Sequence, residues 1–171
     1  VIEAQEKNFP WITPMKISNS NPDRVFSSEI MFSAQNLERN SIFSANFDGN
    51  NLKPNTLLAP RTDVVNYIFD NEKVDYRYIA WLKNSTEISG TTYSIFNKYQ
   101  SQSSDSLYNQ MIPLIKVSEA YLIATECSED YYESLKIYNT LRNHRGLLSK
   151  ATMYQNDIDA EWIREFWGEG Q

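Results

Sequence analysis

The chain has 171 residues, 41% of them hydrophobic and 22% charged, with a formal net charge of −6. That length allows one domain with a sizeable core. No apolar run reaches the roughly 20 residues a membrane-spanning helix needs, and nucleic-acid binding asks for a basic surface this chain lacks. One cysteine, Cys127, excludes an intramolecular disulfide, and its mid-helix place on an apolar face reads as a small core residue. The chain opens on VIEAQEKNFPW with no signal-peptide order and stops abruptly after DIDAEWIREFWGEGQ. It is expected to be an internal fragment of a longer protein.

Residues 1–24 are polar, carry Pro10, Pro14 and Pro22, and are predicted to be irregular. EIMFSAQN (29–36) and SIFSANFD (41–48) are predicted as two short strands around a turn at Glu38-Arg39-Asn40. Gly49-Asn50-Asn51 breaks the pattern. A short helix follows over about 62–70, with Thr62 as N-cap and Asp63 in its first turn. DYRYIAWLKN (75–84) and, after the Ser89-Gly90 turn, TYSIFNKYQ (92–100) read as extended segments, and QSQSSDSL (100–107) as a loop by composition. Residues 1–110 are thus predicted to form a loop-rich region with a few short strands, and 111–171 a helical region, together one incomplete domain.

Between 111 and 148 two helical patterns meet across the polar link Ser128-Glu129-Asp130. In the first, Leu114, Val117, Ala120, Tyr121, Ala124 and Cys127 cover one side, and Ile112, Ile115, Leu122 and Ile123 the other. Apolar cover nearly all round marks a buried helix. Glu119 and Glu126 lie inside the second stripe, where a bare charge is costly. The second helix, about 131–145, carries Arg142 and Arg145 near its C-terminus, with Gly146 as the cap. The two helices are predicted to run antiparallel, with Glu119, Glu126, Arg142 and Arg145 forming a buried ion-pair network that fixes their register. A third helix starts near Asp157, with Ile158, Trp162, Phe166 and Trp167 as its apolar face. No exact repeat is visible, but a helix pair followed by the start of another is the layout of a helical-repeat protein.

Catalytic residues are not evident. His144 is the only histidine, so neither a zinc site nor a Cys-His or Ser-His arrangement can be assembled. Glu161, Glu165 and Glu169 repeat at i,i+4 on one helix face, whereas the carboxylates of a glycosidase flank a bond from opposite sides. They read as solvated charges or partners of Arg164. No glycine-rich phosphate loop exists, and no metal or cofactor is called for. The chain is tyrosine-rich, and Trp11, Tyr67, Tyr76, Tyr78, Trp81, Tyr93 and Tyr99 fall in its first half. Any one of these can be a core staple. Tyr76, Tyr78 and Trp81, beside Asp75 and Arg77, also have the mixture that stacks on sugar faces and binds hydroxyls, and are the candidate ligand set.

IPLIKVSEAYLIATE, then YNTLRNHRGLL, then EWIREFWGEGQ resemble, in order and spacing, the C-terminal half of the SusD/RagB family. The family's E-x-x-L-x-x-A-E helix, preceded by a basic residue, is matched by Lys116, Glu119, Leu122 and Glu126, with Thr125 in place of Ala. Its L-N-x-x-R-x-R-A-G ending is matched by Tyr138-Asn139, Arg142, Arg145 and Gly146. There His144 and the missing Ala depart from the pattern. Gly168, Glu169, Gly170 and Gln171 match its G-E-G-Q-R. Looser similarities lie upstream, in SSEIMFSAQN and FDNEKVDYRY.

The resemblance implies a mostly α fold with helix pairs related to tetratricopeptide repeats (TPR-like), laid against a loop-rich region. It implies a surface-exposed lipoprotein of the cell outer membrane that binds oligosaccharide or another nutrient. Such a protein delivers its ligand to a SusC-like TonB-dependent transporter, performs no chemistry, and meets the membrane only through a lipid anchor. Family motifs mark the scaffold and not the ligand site. The alternative from the residues alone is a helical-repeat module that binds a protein and has no sugar site.

Overall fold

The computed structural model describes residues 6–69, 72–82, 85–101 and 107–169. Among these, seven α-helices with loops between them dominate, and four strands form two small two-stranded sheets. Residues 102–106 of the expected loop, and Gly170 and Gln171 of the closing motif, lie outside the described residues.

The first half is more helical than its sequence suggests. After a short helix α1 (Pro14–Ser18), a 3₁₀ turn (Ser27–Glu29) leads into strand β1 (Ile30–Gln35), as expected for EIMFSAQN. The stretch predicted as its hairpin partner is instead helix α2 (Arg39–Asn46), which buries Arg39 and Phe43. Arg39, Phe43 and Phe47 recur every four residues, which is a helical and not a strand period. Helix α3 (Thr62–Phe69) has the expected range, with Asp63 in its first turn and Val65, Ile68 and Phe69 buried. Thr62 is its first residue and not its N-cap, because the Val65 amide already donates to the Arg61 carbonyl at 3.0 Å.

DYRYIAWLKN also departs from its extended reading, forming helix α4 (Tyr76–Trp81). Asp75 caps it by accepting from the Arg77 amide at 2.8 Å, and Arg77, Ala80 and Trp81 are buried at i, i+3 and i+4. Only 92–94 of the last extended segment is strand. There β2 (Ser85–Ile88) and β3 (Thr91–Ser94) make a hairpin. Its turn residues Ser89 and Gly90 have φ of 54° and 80°, the mirror-image turn that suits strand twist.

The largest correction falls at 111–116. MIPLIK is strand β4 (Met111–Lys116), paired antiparallel with β1 through Ile30↔Lys116 and Gln35↔Met111. Pro113 cannot sit inside a helix, and Ile112 and Ile115 favour strands. Helix α5 therefore begins only at Val117 and runs to Cys127. Helix α6 (Tyr131–His144) follows, with Asp130 accepting from the Tyr132 and Glu133 amides at 2.8 and 3.0 Å. Gly146 ends it with φ of 76°. In α7 (Gln155–Phe166), Asp157 accepts from the Tyr154 amide at 2.9 Å.

Two apolar clusters flank the point where these elements meet. One joins Ile17, Phe26, Ile68, Phe69, Trp81 and Phe96. The other joins Trp11, Val117, Tyr121, Leu122, Leu141 and Phe166, and a smaller cluster of Tyr138, Met153 and Ile158 adjoins it. Cys127, expected in the core, is the last residue of α5 and is exposed. His144 is half-buried, its ring stacked on Trp11 with centroids 4.6 Å apart. No helix among the described residues is long and apolar enough to cross a membrane.

Candidate functional site

Between the two larger clusters lies a connected set of buried charges. Arg145 is clamped from two sides. Its Nη1 and Nη2 donate to Glu29 at 2.8 and 2.6 Å, and its Nε and Nη2 donate to Glu165 at 3.0 and 2.9 Å. Its guanidinium also lies 5.1 Å from both the Trp11 and Phe26 rings. Arg77 donates to Asp75, to Glu161 at 2.7 Å and to Glu165 at 3.2 Å. Arg142 and Arg164 share Glu161 and Glu72. Arg164 Nε donates to the Ile68 carbonyl at 2.7 Å, putting a cation at the C-terminus of α3.

Lys116 and Lys98 extend the chain of contacts to Glu169, at 2.9 and 2.5 Å. Six cations (Lys98, Lys116, Arg77, Arg142, Arg145, Arg164) thus face six carboxylates (Glu29, Glu72, Asp75, Glu161, Glu165, Glu169). Balance is what allows so many charges to be buried.

This arrangement corrects the predicted network. Arg142 and Arg145 are buried and paired as expected, but not with Glu119 or Glu126. Because α5 starts late, Glu119 lies in its first turn, with Oε2 buried and without a hydrogen-bond partner. Glu126, at the other end, accepts from Trp162 Nε1 at 2.9 Å on the surface. The true partners include Glu161 and Glu165, predicted as solvated or paired with Arg164. Glu161 does pair with Arg164, yet both glutamates are fully buried. Burial raises a carboxylate's pKa, but Arg145, Lys116 and Arg77 hold Glu165 well below the ordinary range, and Arg77 and Arg164 lower that of Glu161.

Lys98 is the exception. Burial, with Lys116 alongside, pushes its ammonium down to about 7 from the usual 10.5, and Glu169 only partly offsets this. Between those values the unfolded chain holds a proton that the folded chain has released, so stability rises with pH. The slope is at most about 1.4 kcal/mol per pH unit. Urea midpoints at pH 7, 8 and 9 are expected to climb in the parent and stay flat in Lys98→Met. A flat parent profile would refute the assignment.

Of the predicted ligand aromatics, Trp81 is a core residue and Tyr76 and Tyr78 lie partly buried at the edge of the same cluster. Trp81 is 1% exposed, with Nε1 donating to the Arg24 carbonyl at 2.6 Å, so no sugar can reach it. Tyr76 packs against Gly146, and Tyr78 meets Phe69 edge-on at 5.5 Å. Both are partly buried against the same cluster. The three make no stacking platform.

Other clefts among the described residues are open to a ligand, two of them large. A polar cleft of about 820 Å³ runs between α3 and the start of α7, with Tyr67, Lys150, Asn156, Asp157 and Asp159 on its walls and Glu72 and Arg164 at its base. Tyr67 is 84% exposed there. An apolar cleft of about 650 Å³ lies beside α2, with Phe43, Leu57, Phe96 and Trp167 among its walls. The described residues contain no group of three or more His, Cys, Asp or Glu arranged to hold a metal. The chain matches no model of a known protein family, no curated protein and no solved structure.

Proposed function

We propose that the chain is part of a SusD/RagB-like protein of the outer-membrane surface. It binds oligosaccharide without chemistry and delivers it to a SusC-like TonB-dependent transporter, held to the membrane by a lipid anchor. One observation carries this reading: the separate stretches that resemble the family supply nearly the whole buried network. Glu29 comes from SSEIMF, Asp75 and Arg77 from the DYR segment, and Lys116 from the strand before α5. Arg142 and Arg145 come from RNHRG, and Glu161, Arg164, Glu165 and Glu169 from EWIREFWGE. Residue types spaced far apart in sequence but joined in one lock are the signature of a shared scaffold. On this reading α5 and α6 form a TPR-like antiparallel pair, Ser134 Oγ donating to the Thr125 carbonyl near the link.

With Trp81 in the core and Tyr76 and Tyr78 partly buried against it, the sugar site is assigned to the polar cleft beside Tyr67. That cleft offers one exposed ring face, an amide, carboxylates and two cations. Affinity electrophoresis against a panel of neutral polysaccharides, followed by calorimetry with the matching oligosaccharide, tests this. Tyr67→Ala is expected to weaken binding about fivefold, the worth of one aromatic contact. It should leave the thermal midpoint unchanged, since the side chain is exposed. No retardation by any polysaccharide, with no TonB-dependent transporter recovered from outer membranes, would favour the protein-binding helical module instead.

A further inference from the structure

Arg39 differs from the arginines of the network. It is 4% exposed, yet no carboxylate among the described residues lies within ion-pair distance. Its Nη1 donates to the Tyr108 and Met111 carbonyls, each at 2.9 Å, which places the guanidinium firmly. Its Nε is buried with no hydrogen-bond partner among the described residues. The guanidinium sits 5.6 Å from the centre of the Tyr99 ring. A buried cation held by carbonyls alone carries a desolvation cost that an anion would relieve. Burial accordingly pushes Arg39 down to about 10.

Arg39 and Tyr99 both line the apolar cleft of about 650 Å³, a volume within the roughly 300–1,000 Å³ usual for small-ligand sites. Its walls are otherwise aliphatic and aromatic, among them Ile42, Phe47, Leu57, Leu58 and Trp167. Ile42 and Leu58 are about half exposed at its edge. The other polar groups are Asn36 and Glu169, and Glu169 is already paired with Lys116 at 2.9 Å. Burial and the Glu169 carboxylate keep the Tyr99 phenol protonated, so it can only donate to, and not repel, an anion.

We propose that this cleft binds a small amphipathic carboxylate, its anionic head on Arg39 and its apolar body against α2 and Trp167. The site is separate from the polar cleft and does not depend on the glycan reading. Charge complementarity selects this occupant: a purely apolar ligand would leave Arg39 unpaired, and a sugar would leave the aliphatic walls unmatched.

Calorimetry on the full chain with octanoate and octanol tests it. Octanoate is expected to bind at one site per chain at least about tenfold more tightly than octanol, the usual worth of a hydrogen bond to a charged group. Arg39→Gln should bring the two affinities within about threefold. Because Arg39 also holds two carbonyls, Leu58→Asp at the exposed edge gives a second test. It should weaken octanoate more than octanol, with circular dichroism unchanged. Failure of both ligands to saturate, equal affinities in the parent, or an octanoate preference that survives either substitution would overturn the proposal.

Discussion

Glu165→Gln is expected to lower unfolding stability by about 3–5 kcal/mol, the cost of breaking a buried ion pair from one side. Glu165 touches three cations of the network, as Glu161 does, and meets one of them twice: Arg145 through two bonds, Arg77 at 3.2 Å and Lys116 at 3.3 Å. It also accepts from Ser118 Oγ at 2.8 Å. Replacing it with an amide keeps the shape and one acceptor but leaves three buried cations facing two fewer half-charges. Against a total stability of roughly 5–15 kcal/mol, such a loss is a large fraction. Exposed pairs provide the contrast. Lys136 and Glu133 are 3.6 Å apart with both side chains more than half exposed, so Glu133→Gln should cost less than about 0.5 kcal/mol. Urea unfolding of both variants checks the difference. Adding Lys116→Met to Glu165→Gln removes one of the orphaned cations and should recover part of the loss. A Glu165→Gln midpoint close to that of the parent would mean that the network is not a stability determinant.

The network also shows what could be read from the residues beforehand and what could not. Some local signals held: Gly146 ends α6 where a C-cap was expected, and Thr62–Phe69 and β1 lie where their patterns put them. That Arg142 and Arg145 would be buried and paired followed from two cations on a helix packed against apolar neighbours. Their partners did not follow, because partner choice is non-local. Arg145 meets Glu29 across 116 positions, and Arg77 meets Glu165 across 88. Glu161 and Glu165 flank the obvious apolar stripe of α7, and the cations of α4, α6 and β4 cover that edge and turn it inward. Sequence periodicity identifies an apolar face but is silent about a charged face that complementary charges will cover.

The candidate sites follow the same logic in reverse. Trp81 looked like a ligand aromatic because its segment was taken as extended. Once Asp75 caps α4, the ring turns into the cluster with Phe26, at 5.4 Å. A missed helix at α2 likewise hid Arg39, whose buried position follows from its place one turn before Phe43. The four-residue recurrence of Arg39, Phe43 and Phe47 was the available signal. Strand and helix readings of a short segment predict opposite faces, so an error in one element moves a residue from surface to core.

Gly146→Ala is expected to cost about 2–4 kcal/mol, in two separable parts. The first is backbone strain: at φ of 76° an L-residue pays roughly 1–2 kcal/mol. The second is steric, because a Cβ at position 146 would run into the Tyr76 ring, and overpacking of this kind costs about 1–3 kcal/mol. Tyr76 cannot simply withdraw. Its amide donates to the Arg145 carbonyl at 2.9 Å, and it starts the helix that carries Arg77 into the network. Gly90 isolates the first part. Its φ is 80°, but a Cβ there meets nothing within 4 Å, so Gly90→Ala should cost only the strain, about 1 kcal/mol. In the double variant Gly146→Ala/Tyr76→Ala the clash disappears, and the two substitutions should combine to less than their sum by about 1 kcal/mol or more. Equal losses for Gly146→Ala and Gly90→Ala, with no coupling to Tyr76, would show that glycine is required in the turn after α6 by backbone conformation alone. The expected inequality instead makes Gly146 the point where the end of α6 and the start of α4 are pressed together, bringing Arg142 and Arg145 into reach of the same glutamates as Arg77.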